Sequence, residues 1–375
     1  MFDIAIIGAG INGSALAYFL SKAGKRVAVF DGGGIASGGS GAAGAFISPK
    51  IAKGGDLKAI SDEAFAFSLE FYNRNFPNFI TNSPLLHLSK QQDENEKVRH
   101  FKEHTSLHVK SPDKSLLDIL EPTCKDYEAL YLKESGVVDA QGICKALTES
   151  SVFINEDITS LTCKGEYWEL NSSHKALHVI LATGAYKKLL ELPYIKHRGV
   201  WGHRIDIKSS TNIPLNIHQF VSISASKNGY AAIGATHNVH YHPQTSKESY
   251  DIESGRKELL ERASKTLALK DVQILKDYTG LRSGSNDYIP VIGSLVDTKA
   301  TVEKLPNITK GEKYPRSEFV YYPHLSMING TGGYGFVLAP YLASMLSDEI
   351  LYKKEIDRRL VPVRFFERFV KKGGF

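Results

Sequence analysis

Cysteine is scarce in this chain of 375 residues, which contains only Cys124, Cys144 and Cys163. Their odd number and wide spacing support neither a disulfide framework nor a zinc cluster, because both need paired or closely grouped cysteines. No apolar run reaches the roughly 18 residues that cross a membrane, and the opening MFDIAIIGAG has no basic segment or cleavage site of a secretion signal. We therefore expect a cytoplasmic protein in a reducing compartment.

An excess of charge is also absent from most of the sequence. The chain has 46 basic and 41 acidic residues, and residues 353–375 hold eight of the basic and three of the acidic ones, which accounts for the whole net charge of +5. Phe365, Phe366 and Phe369 alternate with these charges. Such a segment could bind a phosphate backbone or an anionic membrane surface. The alternative is a terminal helix that packs its phenylalanines on the core.

The remaining composition is that of a globular protein. Apolar residues make up 42% and charged residues 23% of the chain, which excludes a disordered or fibrous protein. The length predicts two to three structural units.

The first 31 residues have the pattern of a dinucleotide-binding βαβ unit. An apolar run over residues 2–7 predicts a buried parallel strand, and a helical pattern follows it. Between them stand Gly8, Gly10 and Gly13 at GxGxxG spacing, and a second buried strand ends at Asp31. Asp31 stands 18 positions after the last glycine, where an acid that accepts hydrogen bonds from a ribose is expected at about 20. The alternative is a glycine-rich turn in an unrelated α/β fold.

Each position of this turn has a physical role. Gly8 permits the tight turn, Gly10 lets the backbone approach a pyrophosphate, and Gly13 lets the helix pack closely on the strand. The helix N-terminus, at Ile11 and Asn12, then faces the phosphates.

A second glycine-rich segment lies at residues 32–44, between an apolar strand and the apolar sequence AFISP. A flexible linker is unexpected inside a domain, so we favour backbone that passes close to a ligand. The predicted contacts are Gly39, Ser40, Gly41, Gly44 and Ala45.

Later segments extend the same pattern. A buried strand breaks at Thr183 and Gly184, and residues 326–351 repeat the order of strand, glycine turn and helix. We expect one dinucleotide domain assembled from distant segments. Residues 198–242 contain alternating segments that predict antiparallel strands.

Two groups of three histidines have spacings that a metal site could use. They are His100, His104 and His108, and His237, His240 and His242. The first group has no carboxylate partner, and alternation along a strand explains the second, so we expect no metal.

Seven segments, taken together, carry a resemblance to a known family. They are GGSGAAGAFISPKIAKGGD (38–56), HRGVWGH (197–203), IGAT (233–236), GLRSGSNDYIPVIG (280–293), LVDTKATVE (295–303), GTGGYGFVLAP (330–340) and RRLVPVRFFERFVKK (358–372). The chain resembles the D-amino-acid oxidase superfamily of FAD-dependent amine oxidoreductases, which includes glycine oxidase and sarcosine oxidase. Within it, the chain looks most similar to the FAD-dependent half of the bifunctional tRNA 5-methylaminomethyl-2-thiouridine biosynthesis enzymes.

The resemblance implies an α/β fold with two domains. A Rossmann-like FAD-binding domain would be assembled from the discontinuous segments 1–80, 134–193 and 276–375. An α+β substrate domain built on an antiparallel sheet would comprise residues 81–133 and 194–275.

The resemblance also implies noncovalent FAD, because no cysteine or histidine tether is apparent. Further FAD contacts would come from residues in three regions of the sequence: Ile158, Thr183, Gly184, Gly332, Gly333, Tyr334, Gly335 and Phe336. Tyr334 stands where the family usually has an arginine, so its contact differs from the family pattern. Backbone amides near Gly333 would stabilise negative charge on the reduced flavin.

The implied chemistry is oxidation of an amine next to a carboxylate, followed by hydrolysis of the imine. Arg282 matches the family arginine that binds the substrate carboxylate, and Lys53 matches a lysine near the flavin that could assist the electron acceptor. The implied substrate is a carboxymethylaminomethyl uridine at the wobble position of tRNA. A separate methyltransferase would act on the product.

Basic residues of the insertion, with the C-terminal helix, could then follow tRNA phosphates. They are Lys299, Lys304, Lys310, Lys313 and Arg316. Three alternatives stay open at this point: an oxidase of glycine, sarcosine or D-amino acids, a membrane-peripheral dehydrogenase that passes electrons to quinone, and a nicotinamide-dependent dehydrogenase.

Overall fold

Two large β-sheets and the helices packed on them organise the chain. The structure, a computed structural model, describes residues 1–186 and 189–374. The strands, in chain order, are β1 (Phe2–Ile7), β2 (Val27–Phe30), β3 (Phe46–Ile47), β4 (Ile80–Asn82), β5 (Leu85–Leu88), β6 (Val109–Lys110), β7 (Ala129–Leu132), β8 (Gly136–Val138), β9 (Val152–Ile154), β10 (Leu161–Cys163), β11 (Trp168–Leu170), β12 (His174–Leu181), β13 (His197–Lys208), β14 (Asn216–His218), β15 (Ser222–Ile223), β16 (Tyr230–Gly234), β17 (Gln273–Ser285), β18 (Val291–Val296) and β19 (Tyr321–Asn329). The α-helices are α1 (Ile11–Lys22), α2 (Asp56–Asn75), α3 (Gln92–His104), α4 (Lys114–Leu117), α5 (Ala140–Thr148), α6 (Ile252–Ser264), α7 (Thr298–Lys304), α8 (Gly335–Tyr352) and α9 (Val363–Lys371).

The first sheet contains the parallel βαβ unit predicted at the start of the chain. Its order is β10-β11-β12-β1-β2-β9, with β19 paired to β12 and β18 paired to β19. β1 runs parallel to β2 and to β12, with Ile7 opposite Phe30 on one side and Leu181 on the other. The carboxyl ends of three strands therefore meet at one edge, where open α/β sheets bind their ligands.

Both faces of this sheet are covered, which explains the continuous apolar run of β1. Ile4 and Ile6 belong to a core shared with α1, α2, α5 and α8. Ala5 and Ile7 belong to a core on the other face, which includes Phe366 of α9. The predicted parallel strand with two buried faces is confirmed.

The second sheet is mainly antiparallel and has the order β17-β13-β16-β15-β14-β5-β7-β6. Helix α6 packs on it, and Ile205, Ile233 and Leu259 belong to its core. The predicted α/β fold class, with a second antiparallel sheet, is confirmed. β17 continues past residue 276, where we predicted a domain boundary, and its Gly284 pairs with Thr331 just before α8. β17 thus links the two sheets, and the division into domains stays a prediction.

The C-terminal segment is part of the fold. Phe365 and Phe366 are buried, as the alternative of a helix packed on the core requires. The side chain of Arg364 is 7% exposed and forms an ion pair of 3.1 Å with Asp287. Arg368 reaches the same carboxylate at 2.7 Å. In the described ranges, no helix combines the length and the apolarity needed to cross a membrane.

Candidate functional site

A cavity of about 930 Å³ runs along the carboxyl edge of the first sheet and extends to the second sheet. The predicted site residues that line it are Gly8, Gly10, Ile11, Asn12, Asp31, Gly39, Ser40, Gly44, Ala45, Ile158, Thr183, Gly184, Arg282, Gly332, Gly333, Tyr334, Gly335 and Phe336. The cavity lining does not include Gly13, Gly41 or Lys53. Folding therefore gathers residues from seven separate stretches of sequence around one space.

The turn after β1 is closed by backbone packing. Gly8 has a φ of +109°, and a Cβ there would lie 2.4 Å from the carbonyl oxygen of Ala182. A Cβ at Gly13 would lie 1.9 Å from the carbonyl oxygen of Gly8. Gly13 therefore serves the close contact of helix and strand that its spacing predicts, and it does so from outside the cavity.

Two side chains fix this turn through its amides. Asp31 accepts hydrogen bonds from the backbone N–H groups of Ala9 at 2.9 Å and Gly33 at 3.0 Å. Ser40 Oγ accepts one from the N–H of Ile11 at 2.9 Å. A ribose contact for Asp31 stays a prediction, and the structure adds a positioning role that the sequence did not reveal.

The glycine-rich segment at residues 32–44 is packed into the fold, so the flexible-linker alternative is excluded. A Cβ at Gly39 would lie 2.6 Å from the carbonyl oxygen of Leu281 in β17. A Cβ at Gly41 would lie 2.1 Å from the carbonyl oxygen of Ala36. These two glycines permit backbone to pack on backbone, which is a different reason from the close ligand approach we expected.

The turn before α8 leaves open space at the other end of the cavity. Gly332 has a φ of +57°, and a Cβ built there would meet no described atom within 4 Å. A Cβ at Gly333 would lie 3.9 Å from Nη1 of Arg282. The backbone of this turn, followed by the N-terminus of α8, therefore faces the cavity beside the predicted carboxylate-binding arginine.

Arg282 is partly buried and incompletely hydrogen-bonded. Its Nη2 donates to the carbonyl oxygen of Thr236, whereas its buried Nε has no partner among the described residues. A Cβ at Gly202 would lie 2.8 Å from Nη2, so the absence of a side chain there makes room for the guanidinium. Burial lowers the pKa of Arg282. A desolvated cation with spare donors suits an anionic ligand.

Two lysines near this end occupy different positions. Lys53 forms a 2.7 Å ion pair with Glu96, and its side chain is 50% exposed. Lys50 lines the cavity, and its Nζ lies 4.9 Å from the centre of the Tyr334 ring. Lys50 is a site residue that the sequence reasoning missed, although it directly follows the apolar segment AFISP. The catalytic role of Lys53 stays a prediction that its position does not favour.

Two histidines that we had not singled out also line the cavity. His87 of β5 lies opposite His218 of β14 across parallel strands. Burial lowers the pKa of His87 to about 3 and that of His218 to about 4, so both are neutral near pH 7. His237, one of the three histidines whose spacing a metal site could use, lines the same cavity. Burial and the charge of Arg282 lower its pKa. Among the described residues, no cluster of three or more potential ligands is arranged for a metal ion.

The family assignment comes from a family model described as FAD dependent oxidoreductase, which matches residues 3–349. Among solved structures, glycine oxidase from Bacillus cereus ATCC 14579 superposes with a TM-score of 0.76 at 21% identity, covering 95% of this chain and 96% of that one. At this identity the likeness shows the fold.

Two curated relatives are tRNA 5-methylaminomethyl-2-thiouridine biosynthesis bifunctional proteins MnmC. The protein of Dichelobacter nodosus is 27% identical over 69% of this chain and 43% of its own length. The protein of Campylobacter jejuni (strain 81116) is 26% identical over 99% of this chain and 59% of its own length. The chain thus spans less than two thirds of either relative. Since the family model covers nearly all of the fold that builds the cavity, this chain belongs to the FAD-dependent oxidoreductase family of the D-amino-acid oxidase type.

Proposed function

We propose that this oxidoreductase removes the carboxymethyl group from 5-carboxymethylaminomethyl uridine, or its 2-thio form, at the tRNA wobble position. The products would be the aminomethyl base and glyoxylate. The observation that carries the proposal is Arg282, a desolvated guanidinium with an unpartnered Nε beside the open turn at Gly332 and Gly333.

The cavity residues fit noncovalent FAD. Gly332 leaves space that any side chain would fill, and the buried Oδ1 of Asn12 lacks a partner among the described groups. The N-terminus of α1 would face the pyrophosphate, and the turn at Gly333 would hold the flavin. Cys124, Cys144 and Cys163 do not line the cavity, whereas His87, His218 and His237 do, so noncovalent binding stays a prediction.

The reaction needs one oxidation and one hydrolysis. When bound, FAD accepts the two electrons released as the CH2–NH bond of the substrate becomes CH=N, with loss of two hydrogens. Water then adds to the imine carbon, and the C–N bond breaks to give an amine and glyoxylate. Arg282 would hold the carboxylate so that the CH2 group is oriented, and the neutral His87 and His218 would form part of the cavity wall.

The tRNA substrate is supported by the names of the curated relatives. It is also supported by the insertion that begins at Leu295, near the end of β18. A methyltransferase that acts on the aminomethyl product is the partner this proposal implies. A free amino acid such as glycine also carries an amine and a carboxylate, so an amino-acid oxidase is the competing function.

Mass spectrometry of tRNA nucleosides tests the proposal. Cells that lack the gene should accumulate carboxymethylaminomethyl uridine, and the wild-type gene should restore the parental nucleosides, whereas a gene encoding Arg282→Met should not. An unchanged nucleoside profile, combined with oxidation of free glycine or sarcosine by the purified protein, would replace the proposal with the amino-acid oxidase.

A further inference from the structure

Cations from three separate segments surround the substrate end of the cavity. Lys50 follows β3, Lys90 and Lys97 flank the start of α3, and Arg262 lies in the last turn of α6; all four line the cavity. We name Lys50, Lys90, Lys97 and Arg262 the cationic rim. The acidic residues Asp31, Glu156 and Asp157 line the cavity at the opposite end, near β2 and β9.

The charges of the cationic rim act on the same space. Burial is the main cause of the lowered pKa of Lys50, and the charge of Lys97 lowers it further. Burial is the main cause of the lowered pKa of His87, and Lys97 and Lys90 lower it further. Burial is also the main cause for His237, whose pKa Arg262 and Lys90 lower further. Like charges therefore act on one another at this end of the cavity, an effect that a bound anion would relieve.

Acidic neighbours compensate the cationic rim only in part. Glu94, which also lines the cavity, lies 3.9 Å from Lys97, which is a long ion pair with both side chains partly exposed. Glu258 pairs with Arg262 at 2.8 Å within α6. Lys97 is therefore weakly compensated, and among the described residues neither Lys50 nor Lys90 forms an ion pair.

Several arginines of the basic C-terminal segment are engaged with acids: Arg364 and Arg368 with Asp287, and Arg359 with Asp357 at 2.6 Å, while Glu367 pairs with Arg316 of the insertion at 2.7 Å. The Arg364–Asp287 pair is buried, and a phosphate that replaced Asp287 there would break a buried pair, which is costly. Lys371 and Lys372 are exposed, so they test whether the remaining cations of the segment bind tRNA.

We propose that the cationic rim, rather than the C-terminal segment, binds the phosphates that flank the substrate nucleotide of tRNA. This inference rests on the proposed function. A base that enters a pocket from a single-stranded loop brings its own sugar-phosphate backbone to the opening. A free amino acid has one carboxylate, which Arg282 would satisfy, and it needs no further cations at the rim.

The test compares two double variants that each remove two lysine charges. Lys90→Gln/Lys97→Gln removes them from the cationic rim, and Lys371→Gln/Lys372→Gln removes them from the C-terminal segment. Holoprotein binding to bulk tRNA is measured by fluorescence anisotropy over a series of salt concentrations, with FAD content and Tm recorded for each protein. The rim variant should bind more weakly, and its log–log salt slope should fall by about 1.4, since each lost contact to single-stranded phosphate is worth about 0.7. The tail variant should keep the parental slope.

Lys90→Arg/Lys97→Arg keeps both charges and should keep the parental affinity, which separates charge from fold. Loss of binding in the tail variant alone, or an unchanged slope in the rim variant, would overturn the inference while leaving the proposed function intact. Absence of salt-sensitive tRNA binding by the parent protein would instead remove the proposed function. Vesicles of phosphatidylglycerol and phosphatidylcholine form a further arm: binding to them that is lost in the rim variant, with tRNA binding unchanged, would assign the cationic rim to a membrane surface and overturn the inference.

Discussion

The two ends of the cavity are built in different ways. At the dinucleotide end, Asp31 and Ser40 already hold the backbone amides of the turn, and its glycines pack on neighbouring carbonyl groups. At the other end, Arg282 keeps an unpartnered Nε, and the turn at Gly332 faces open space. The first end is largely completed by the protein itself, whereas at the second the guanidinium of Arg282 is incompletely hydrogen-bonded among the described residues.

This difference separates cofactor retention from turnover. Substitutions at the dinucleotide end should release FAD, because they disturb a preorganised backbone. Substitutions at the oxidation end should leave FAD bound and slow its reduction, because they remove groups that contact the substrate. We therefore predict that FAD retention and flavin reduction can be changed separately.

Arg282→Met should have the largest effect. It removes the charge and every donor of the guanidinium, and loss of a partly desolvated charge pair typically costs several kcal/mol, at 1.36 kcal/mol per tenfold in rate. Stopped-flow reduction of the bound flavin by substrate should slow at least about a hundredfold, with the absorbance spectrum of the oxidised flavin unchanged. Reduction at the parental rate would show that another basic residue of the cavity, such as Lys50 or Arg262, holds the carboxylate.

Asp31→Ala should act on the dinucleotide end alone. It removes the acceptor for the N–H groups of Ala9 and Gly33 together with the predicted ribose contact, so FAD affinity should fall by about 1–3 kcal/mol. Ultrafiltration of the holoprotein measures the released FAD, and Asp3→Ala, which removes the ion pair between Asp3 of β1 and Arg26 just before β2, is the control that should retain it. Equal retention in both variants would remove Asp31 from the cofactor site.

Lys50→Met should slow flavin reduction more than Lys53→Met does, by about tenfold, which corresponds to one hydrogen-bonded or charged contact at the site. Lys50 lines the cavity beside Tyr334, whereas Lys53 pairs with Glu96 at the surface. The two substitutions remove the same charge three positions apart, so each serves as the control for the other. A larger effect at Lys53 would restore the role that the family resemblance implies for it.

Acid precipitation of the holoprotein should have the smallest effect on the flavin itself. Because FAD is proposed to be held without a covalent bond, all of the yellow colour should pass into the supernatant. Colour that remains in the protein pellet would show a covalent attachment.

The sequence predicted the dinucleotide end well because its determinants are local. Gly8, Gly10, Gly13 and Asp31 lie within one βαβ unit, and their spacing follows from strand and helix geometry. Sequence reasoning placed Arg282 through a motif, but the proximity of Gly333 depends on β17 passing from one sheet to the other. Lys50 and Lys53 could not be distinguished, because the path of the chain after β3 decides which one turns inward.

The basic C-terminal segment shows the limit most clearly. Asp287, the partner of Arg364 and Arg368, lies 77 and 81 positions away in sequence, so local charge counting could not reveal that these cations are engaged. Truncation after Lys354 would remove the basic segment but would also remove Phe365 and Phe366 from the core, so the paired lysine variants are the better test of tRNA binding.

The central claim is that the oxidation end acts on a carboxymethylated amine carried by tRNA. Anaerobic mixing of purified holoprotein with carboxymethylaminomethyl tRNA, and in parallel with glycine and sarcosine at equal concentration, tests it directly. Our account predicts rapid loss of the oxidised-flavin absorbance with the tRNA, one glyoxylate for each flavin reduced, and little change with the free amino acids. Reduction by glycine or sarcosine with no response to the tRNA would contradict it.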